Sequence, residues 1–174
     1  MLNDVAPLPA ASVIVLRDGP LEVLLLRRHE KSSFVPNAWV FPGGIAEGSE
    51  SMSEAAVRET FEEAGIKLDP EQLVWTSRWI TPVGIPKRFD TFFFLAKVAR
   101  DVEVTIDPNE IAGWMWIAPA DALSRRDLHL VFPTIKNLEA LLGFDSADAL
   151  IDARRGAVIE PIQPVLVNGK PTLQ

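Results

Sequence analysis

Glu59, Glu62 and Glu63 crowd into one short stretch that follows Gly43-Gly44 and ends at Gly65-Ile66. Like charges one helical turn apart cost an isolated helix roughly 0.2–0.5 kcal/mol per pair, so such a group calls for a positive centre among its members. A hard divalent cation with oxygen ligands is the natural one, and the usual cargo of that cation is a phosphate. The chemistry on offer is metal-assisted attack on a phosphate anhydride or ester.

A helix is predicted to carry these acids. Ser51 followed by Glu54 forms a capping-box pattern, and Gly65 stands where a left-handed C-terminal cap belongs. Val57, Thr60, Phe61 and Ala64 recur at helical spacing and are expected to face a core, with the three glutamates on the opposite side. Arg58 is placed to pair with Glu50, tying the preceding loop to the helix and orienting the carboxylates. The glycines of Pro42-Gly43-Gly44 allow close backbone approach, and a carbonyl of this turn, at Gly44, is a further candidate metal ligand. Glutamates on a helix surface are common, so the cluster alone decides little. The wider pattern carries the weight.

Gly44, Glu50, Arg58, Glu59, Glu62, Glu63 and Gly65, with Ile66 after them, follow G-x5-E-x7-R-E-U-x-E-E-x-G-U, where U is a bulky aliphatic residue. The chain thereby resembles the Nudix hydrolases, which cleave nucleoside diphosphates linked to another group. Thr60 is the one departure, standing where an aliphatic residue is usual; its methyl group can still pack inward. The resemblance implies an α/β/α sandwich with a mixed β-sheet, a loop–helix–loop that binds Mg2+ or Mn2+, and water attacking a phosphorus of the diphosphate. By position, Glu59 and Glu63 are the expected direct ligands, Glu62 is a third ligand or the base for the water, and Arg58 and Glu50 support them. A pyrophosphohydrolase is the reading favoured. The alternative is a module of the same fold that senses a nucleotide without turning it over, although such loss usually removes the acids retained here. Many members of the family are homodimers, so a paired subunit is expected.

The chain has 174 residues, 48% of them hydrophobic, no cysteine and a net charge of −7. That is enough apolar material for one domain with a substantial core, and residues 1–174 are expected to form a single domain with a C-terminal helical extension over 133–174. The acidic balance argues against a broad nucleic-acid surface. No apolar run is long enough to span a bilayer. MLNDVAPLPA lacks the basic start of a secretory signal, and the absence of cysteine fits a reducing interior, so a cytoplasmic location is expected. Residues 11–17 and 21–27 read as a hairpin around Asp18-Gly19-Pro20. Further strands are predicted at 39–41, 72–80, 88–98 and 113–117, with helices from Pro119, Pro133 and Ser146.

Three other places suggest substrate chemistry. Glu110, in the loop before the Trp114–Trp116 strand, is a candidate metal contact or general base, since many family members place an acid there; a plain loop glutamate is the alternative. Arg88 is a candidate for holding a phosphate bidentately, against a charged strand start. Arg28, after the second strand, is a candidate for facing the diphosphate, while neighbouring His29 reads as a surface residue. The Phe92–Phe94 run and Trp116 read as core. The segment TPVGIPKRFDTFFFLA, and the tail LVFPTIKNLEALLGF followed by RRGAVIEPIQP, are similar to the branch containing peroxisomal coenzyme A diphosphatases. The better-known coenzyme A signature, however, expects Arg and Gly where this chain has Ser33 and Asn37, so ADP-ribose, NADH and other nucleotide diphosphates stay open.

Overall fold

Strand β1 (Leu8–Arg17) owes its central place to the apolar run Val13–Leu16 and the small residues before it, because a strand covered on both faces has little room for polar side chains. In the computed structural model, which describes residues 4–174, Ile14 and Leu16 enter one core while Ala11, Val13 and Val15 enter the other. Strand β2 (Glu22–Arg28) divides the same way, Val23 and Leu25 against Leu24 and Leu26. The chain continues through β3 (Trp39–Val40), β4 (Gly43–Ile45), helix α1 (Met52–Ala64), β5 (Val74–Ile80), β6 (Phe89–Lys97) and β7 (Ile111–Ile117). Helices α2 (Pro119–Ser124), α3 (Phe132–Ala140) and α4 (Ala147–Arg154) follow, then β8 (Pro161–Ile162), β9 (Val165–Val167) and β10 (Lys170–Thr172).

The sheet is mixed. β1 runs parallel to β6 from Leu8–Phe89 to Leu16–Lys97, β6 is antiparallel to β5, and β5 is parallel to β8. On its other edge β1 pairs with β2 only near their shared turn, at Leu16–Val23 and Arg17–Glu22. β2 then turns away to pair with β7 and β3, and β4 takes its place beside Ala10–Ser12. This parting of β1 from β2 leaves room for a cleft. Helix α1 covers one face of the sheet through Ala55, Ala56 and Ala64, while Ala122, Leu138, Leu141 and Leu150 from α2–α4 cover the other. The α/β/α arrangement expected from the sequence is the one observed.

Two expectations need correction. Helix α1 does not bury the stripe Val57–Thr60–Phe61–Ala64. Its buried side is Ala55, Ala56, Thr60, Glu63 and Ala64, while Phe61 is 49% exposed with the Lys67 ammonium over its ring. Small side chains let the helix lie close to the sheet, and a phenylalanine there would hold it off. Thr60 fits because its hydroxyl donates to the Ala56 carbonyl at 2.8 Å, which leaves the methyl as its packing surface. Glu63 therefore faces inward, not away with the other acids. The region after residue 133 is also only partly helical: beyond Arg154 it extends into β8 and the separate two-stranded sheet β9–β10.

Candidate active site

The turn between β3 and α1 sets the site. The Pro42 carbonyl accepts from the Val13 amide at 2.9 Å and from the Ser12 hydroxyl at 2.7 Å, which fixes the turn on β1. A side chain at Gly43 would collide with the Ala11 carbonyl, and one at Gly44 with the Glu59 carboxylate. The paired glycines thus let backbone lie directly against both the central strand and an acid of α1. The Gly43 amide donates to Glu63 Oε2 at 3.1 Å. Ser51 and Glu54 form the complete capping box, and Gly65 closes the helix with φ 70°.

Arg58 is the hub of the acidic side. Its Nε donates to Glu50 Oε1 at 2.6 Å and its Nη2 to Glu50 Oε2 and the Ile45 carbonyl, each at 3.1 Å. Its Nη1 reaches Glu59 Oε1 at 2.9 Å and Glu62 Oε2 at 3.2 Å. The Arg58–Glu50 pair does tie loop to helix. It also holds the Glu50 carboxyl below its usual range, the hydrogen bond from Arg58 being the main cause. The guanidinium is itself held more firmly protonated, first by Glu50.

Burial dominates the other two acids. Glu59 titrates above the ordinary carboxylate range because it is desolvated, even with Arg58 beside it, and the charges of Glu62 and Glu110 add to the rise. Glu63, 5% exposed, is pushed up to about 8. Desolvation is again the first cause, the Gly43 amide and the Arg28 charge oppose it, and Glu59 and Glu110 reinforce it. Glu110 belongs to this group through the loop that carries it. The Asp107 amide donates to the Glu63 carbonyl at 3.3 Å, the Ile111 amide to the Asp107 carbonyl at 2.8 Å, and the His29 amide to the Glu110 carbonyl at 3.0 Å.

Glu59, Glu63, Glu110, Gly44 and Arg28 all line one cleft of about 810 Å³, opened where β1 and β2 part. Arg28 donates from Nε to the Phe34 carbonyl at 2.8 Å and from Nη2 to Ser32 Oγ at 2.6 Å, which braces the 29–38 loop. Glu62 is not part of the cleft wall; its side chain is 53% exposed and engaged by Arg58. Arg88 is also elsewhere. Its side chain is 4% exposed, donating from Nη1 to Asp4 Oδ1 at 2.5 Å and the Val5 carbonyl at 2.8 Å, and from Nε to the Thr81 carbonyl at 3.0 Å. With Nε and Nη1 engaged by protein acceptors, it clasps the N-terminal segment to the sheet, away from the cleft wall.

Lys87, the residue before it, lines the cleft instead, with its ammonium over the Phe89 ring. Both lie just before β6, and nothing in the sequence says which of the two faces the cleft. Phe93, which reads in sequence as plain core, is also on the wall beside Trp79, and both residues serve as core and cleft wall.

The set suits a hard cation: carboxylate oxygens, two of them desolvated and mutually repelling, beside a glycine turn where backbone comes close. Among the described residues no three acidic or imidazole side chains are gathered round one point. Arg58 draws Glu59 and Glu62 to one side, and Gly43 holds Glu63 on the other.

The family model of the NUDIX domain matches residues 6–137, and the chain belongs to the Nudix family. Among its relatives it is 29% identical over 120 residues to the m7GpppN-mRNA hydrolase NUDT17 of Bos taurus, covering 61% of this chain and 40% of that protein. It is 25% identical over 213 residues to the acyl-coenzyme A diphosphatase NUDT19 of Xenopus laevis, covering 64% and 56%. The chain therefore spans about half the length of these relatives or less. The crystal structure of a NUDIX hydrolase from Alicyclobacillus acidocaldarius superposes with a TM-score of 0.76 at 25% identity, covering 88% of this chain and 99% of that one. Among the described residues no helix is long and apolar enough to cross a membrane.

Proposed function

We propose that this chain hydrolyses a nucleoside diphosphate linked to a second group, with Mg2+ or Mn2+ bound at the acidic end of the cleft. The observation that carries the reading is the pair of desolvated carboxylates, Glu59 and Glu63, set against Gly43-Gly44 on the cleft wall with Glu110 nearby. Glu59 and Glu63 would hold the ion, with the Gly44 carbonyl and Glu62 as further oxygen donors. When bound, the ion neutralises diphosphate charge and lowers the pKa of water. Arg28, which lines the same cleft, offers a guanidinium to the same anion.

In the reaction, water oxygen joins one phosphorus as the bridging P–O bond breaks. The water proton passes to a carboxylate, for which Glu62 and Glu110 are the candidates, and the second phosphate leaves with the bonding pair. Glu110 has the advantage of lying on the cleft wall. Glu62 would first have to leave Arg58.

For substrate, we favour the coenzyme A type, following the name of the frog relative. Of the two departures from the coenzyme A signature, Asn37 is accounted for by conformation. It adopts φ 62°, a left-handed region in which asparagine is the common substitute for glycine. Products from coenzyme A, ADP-ribose, NADH and a capped dinucleotide, each with Mg2+ and identified by mass, test the proposal. Tight binding across that panel without any product would favour the nucleotide-sensing alternative.

A further inference from the structure

The cleft has a second end, to which residues beyond the NUDIX match contribute. β8 lies parallel to β5, pairing Pro161 with Arg78 and Ile162 with Trp79. This short ladder delivers the hairpin β9–β10 to the mouth, where Pro164 and Pro171 join Trp79, Ile80, Val131 and Phe132 on the wall. The hairpin is a two-stranded sheet of its own, antiparallel from Lys170–Val167 to Thr172–Val165. Two strands alone are marginally stable at best, so its place depends on what it covers.

We infer that this C-terminal hairpin is a specificity wall that receives an apolar acyl-type chain attached to the far side of the diphosphate. The inference rests on the hydrolase reading above and deepens it. The wall is continuous with the acidic end, as one cleft, so a single extended molecule reaches both. Its ring pairs meet edge-on, Trp79 with Phe132 at 84° and Phe34 with Phe89 at 70°. The near-parallel pair Trp75–Phe92, at 22°, lies outside the cleft. Trp79, Ile80, Val131, Phe132, Pro164 and Pro171 give this end an apolar lining, which suits a flexible hydrocarbon chain.

The test compares coenzyme A with octanoyl-coenzyme A, which share nucleotide and diphosphate and differ only in the chain. Pro171→Asp puts a charge on the wall; Val167→Asp puts the same charge on the exposed side of the same hairpin and serves as control. Pro171→Asp is expected to raise KM for the octanoyl substrate by roughly tenfold or more, because each methylene kept from water is worth a factor of about four. KM for coenzyme A, and kcat for both, should stay within about twofold. An equal rise for both substrates, which is what contact with the shared nucleobase would give, overturns the inference. So does an equal effect of Val167→Asp.

Hydrogen exchange of the full chain, with Ca2+ in place of Mg2+, gives a readout apart from turnover. Octanoyl-coenzyme A, and not coenzyme A, should slow exchange at the Leu166 and Thr172 amides. If neither does, the wall is wrongly assigned even where hydrolysis is normal. If wild type hydrolyses neither compound yet octanoyl-coenzyme A still protects the hairpin, the hydrolase reading fails and the wall stands.

Discussion

The two ends of the cleft are held by different forces. At the acidic end the carboxylates of the box are tied, Glu50, Glu59 and Glu62 to Arg58 and Glu63 to the Gly43 amide, and the loop that carries Glu110 is bonded to the end of α1. At the aromatic end the contacts are ring edges and prolines, and Trp79 Nε1 is left as a buried donor without an acceptor. Directional bonds fix atoms to a fraction of an ångström, which phosphorus chemistry needs. Shape packing fixes a volume, which is enough for recognising a chain. Substitutions at the first end should therefore act on turnover, and those at the second on affinity.

The largest effect should come from Glu63→Gln. It keeps the shape while removing the ability to ionise when the ion binds, so kcat should fall at least ~100-fold with the fold intact. Calorimetry should show Mg2+ binding lost, and circular dichroism should be unchanged. Near-normal turnover would remove the distinction between the two ends.

Arg58→Ala comes next. It releases Glu50, Glu59 and Glu62 together, and loss of a group that orients ligands costs roughly 10–100-fold in activity or metal affinity. Stability should also drop by about 1–3 kcal/mol in chemical denaturation, as a partly buried charge-assisted network is broken. Arg58→Lys should rescue little, because one ammonium cannot replace a fork that serves three carboxylates and a carbonyl.

A pH series sharpens the contrast within the acidic end. Folded Glu63 keeps its proton up to about 8, while the unfolded chain releases it near the ordinary 4.5. Between those values the folded state binds more protons, so the metal-free protein should lose stability as pH rises through that window. Ion binding expels the proton, so affinity should tighten with pH by up to about tenfold per unit and level off above it. Calorimetry at several pH values in buffers of different ionisation enthalpy measures both. Glu63→Gln should flatten the stability slope.

How much of this was legible beforehand follows the same division. The box announced itself because Gly44, Arg58 and the glutamates are fixed by local helix geometry and by one turn, and the capping box and Gly65 cap marked its ends. The inward face of α1 was misread because hydrophobicity favoured Phe61, whereas close approach to the sheet favours Ala and Thr. The acceptors of Arg88 were hidden because Asp4, Val5 and Thr81 come from chain segments that only the fold assembles. The hairpin after Arg154 was hidden for a related reason: β8–β10 are two or three residues each, too short for periodicity to show.

The two arginines make a smaller but cleaner comparison. Arg28→Ala, on the cleft wall, should raise KM several-fold and, by freeing the Phe34 carbonyl and Ser32, lower thermal stability less than loss of the more buried Arg88 does. Arg88→Ala should do the reverse, costing about 2–3 kcal/mol because the Thr81 and Val5 carbonyls lose a buried charged donor, with KM unaltered. Thermal melts and steady-state kinetics on the same preparations decide it. Matching effects from both would mean that Arg88 also serves the substrate.

The smallest expected effect is at Asn37, and its smallness is the point. Glycine at 37 would restore the residue of the coenzyme A signature, yet Asn37 already adopts the left-handed conformation that glycine would supply. The 29–38 loop is also held at both ends of this stretch, by Arg28 on the Phe34 carbonyl and by the Arg28 amide on the Ala38 carbonyl at 2.9 Å. Asn37→Gly should accordingly change kcat/KM on coenzyme A by less than about twofold, the loss of a few tenths of a kcal/mol in chain entropy offsetting the relief of a Cβ from the left-handed region. A gain of tenfold or more would show that the asparagine side chain obstructs the substrate, and that selectivity is set at the 29–38 loop instead of at the aromatic end.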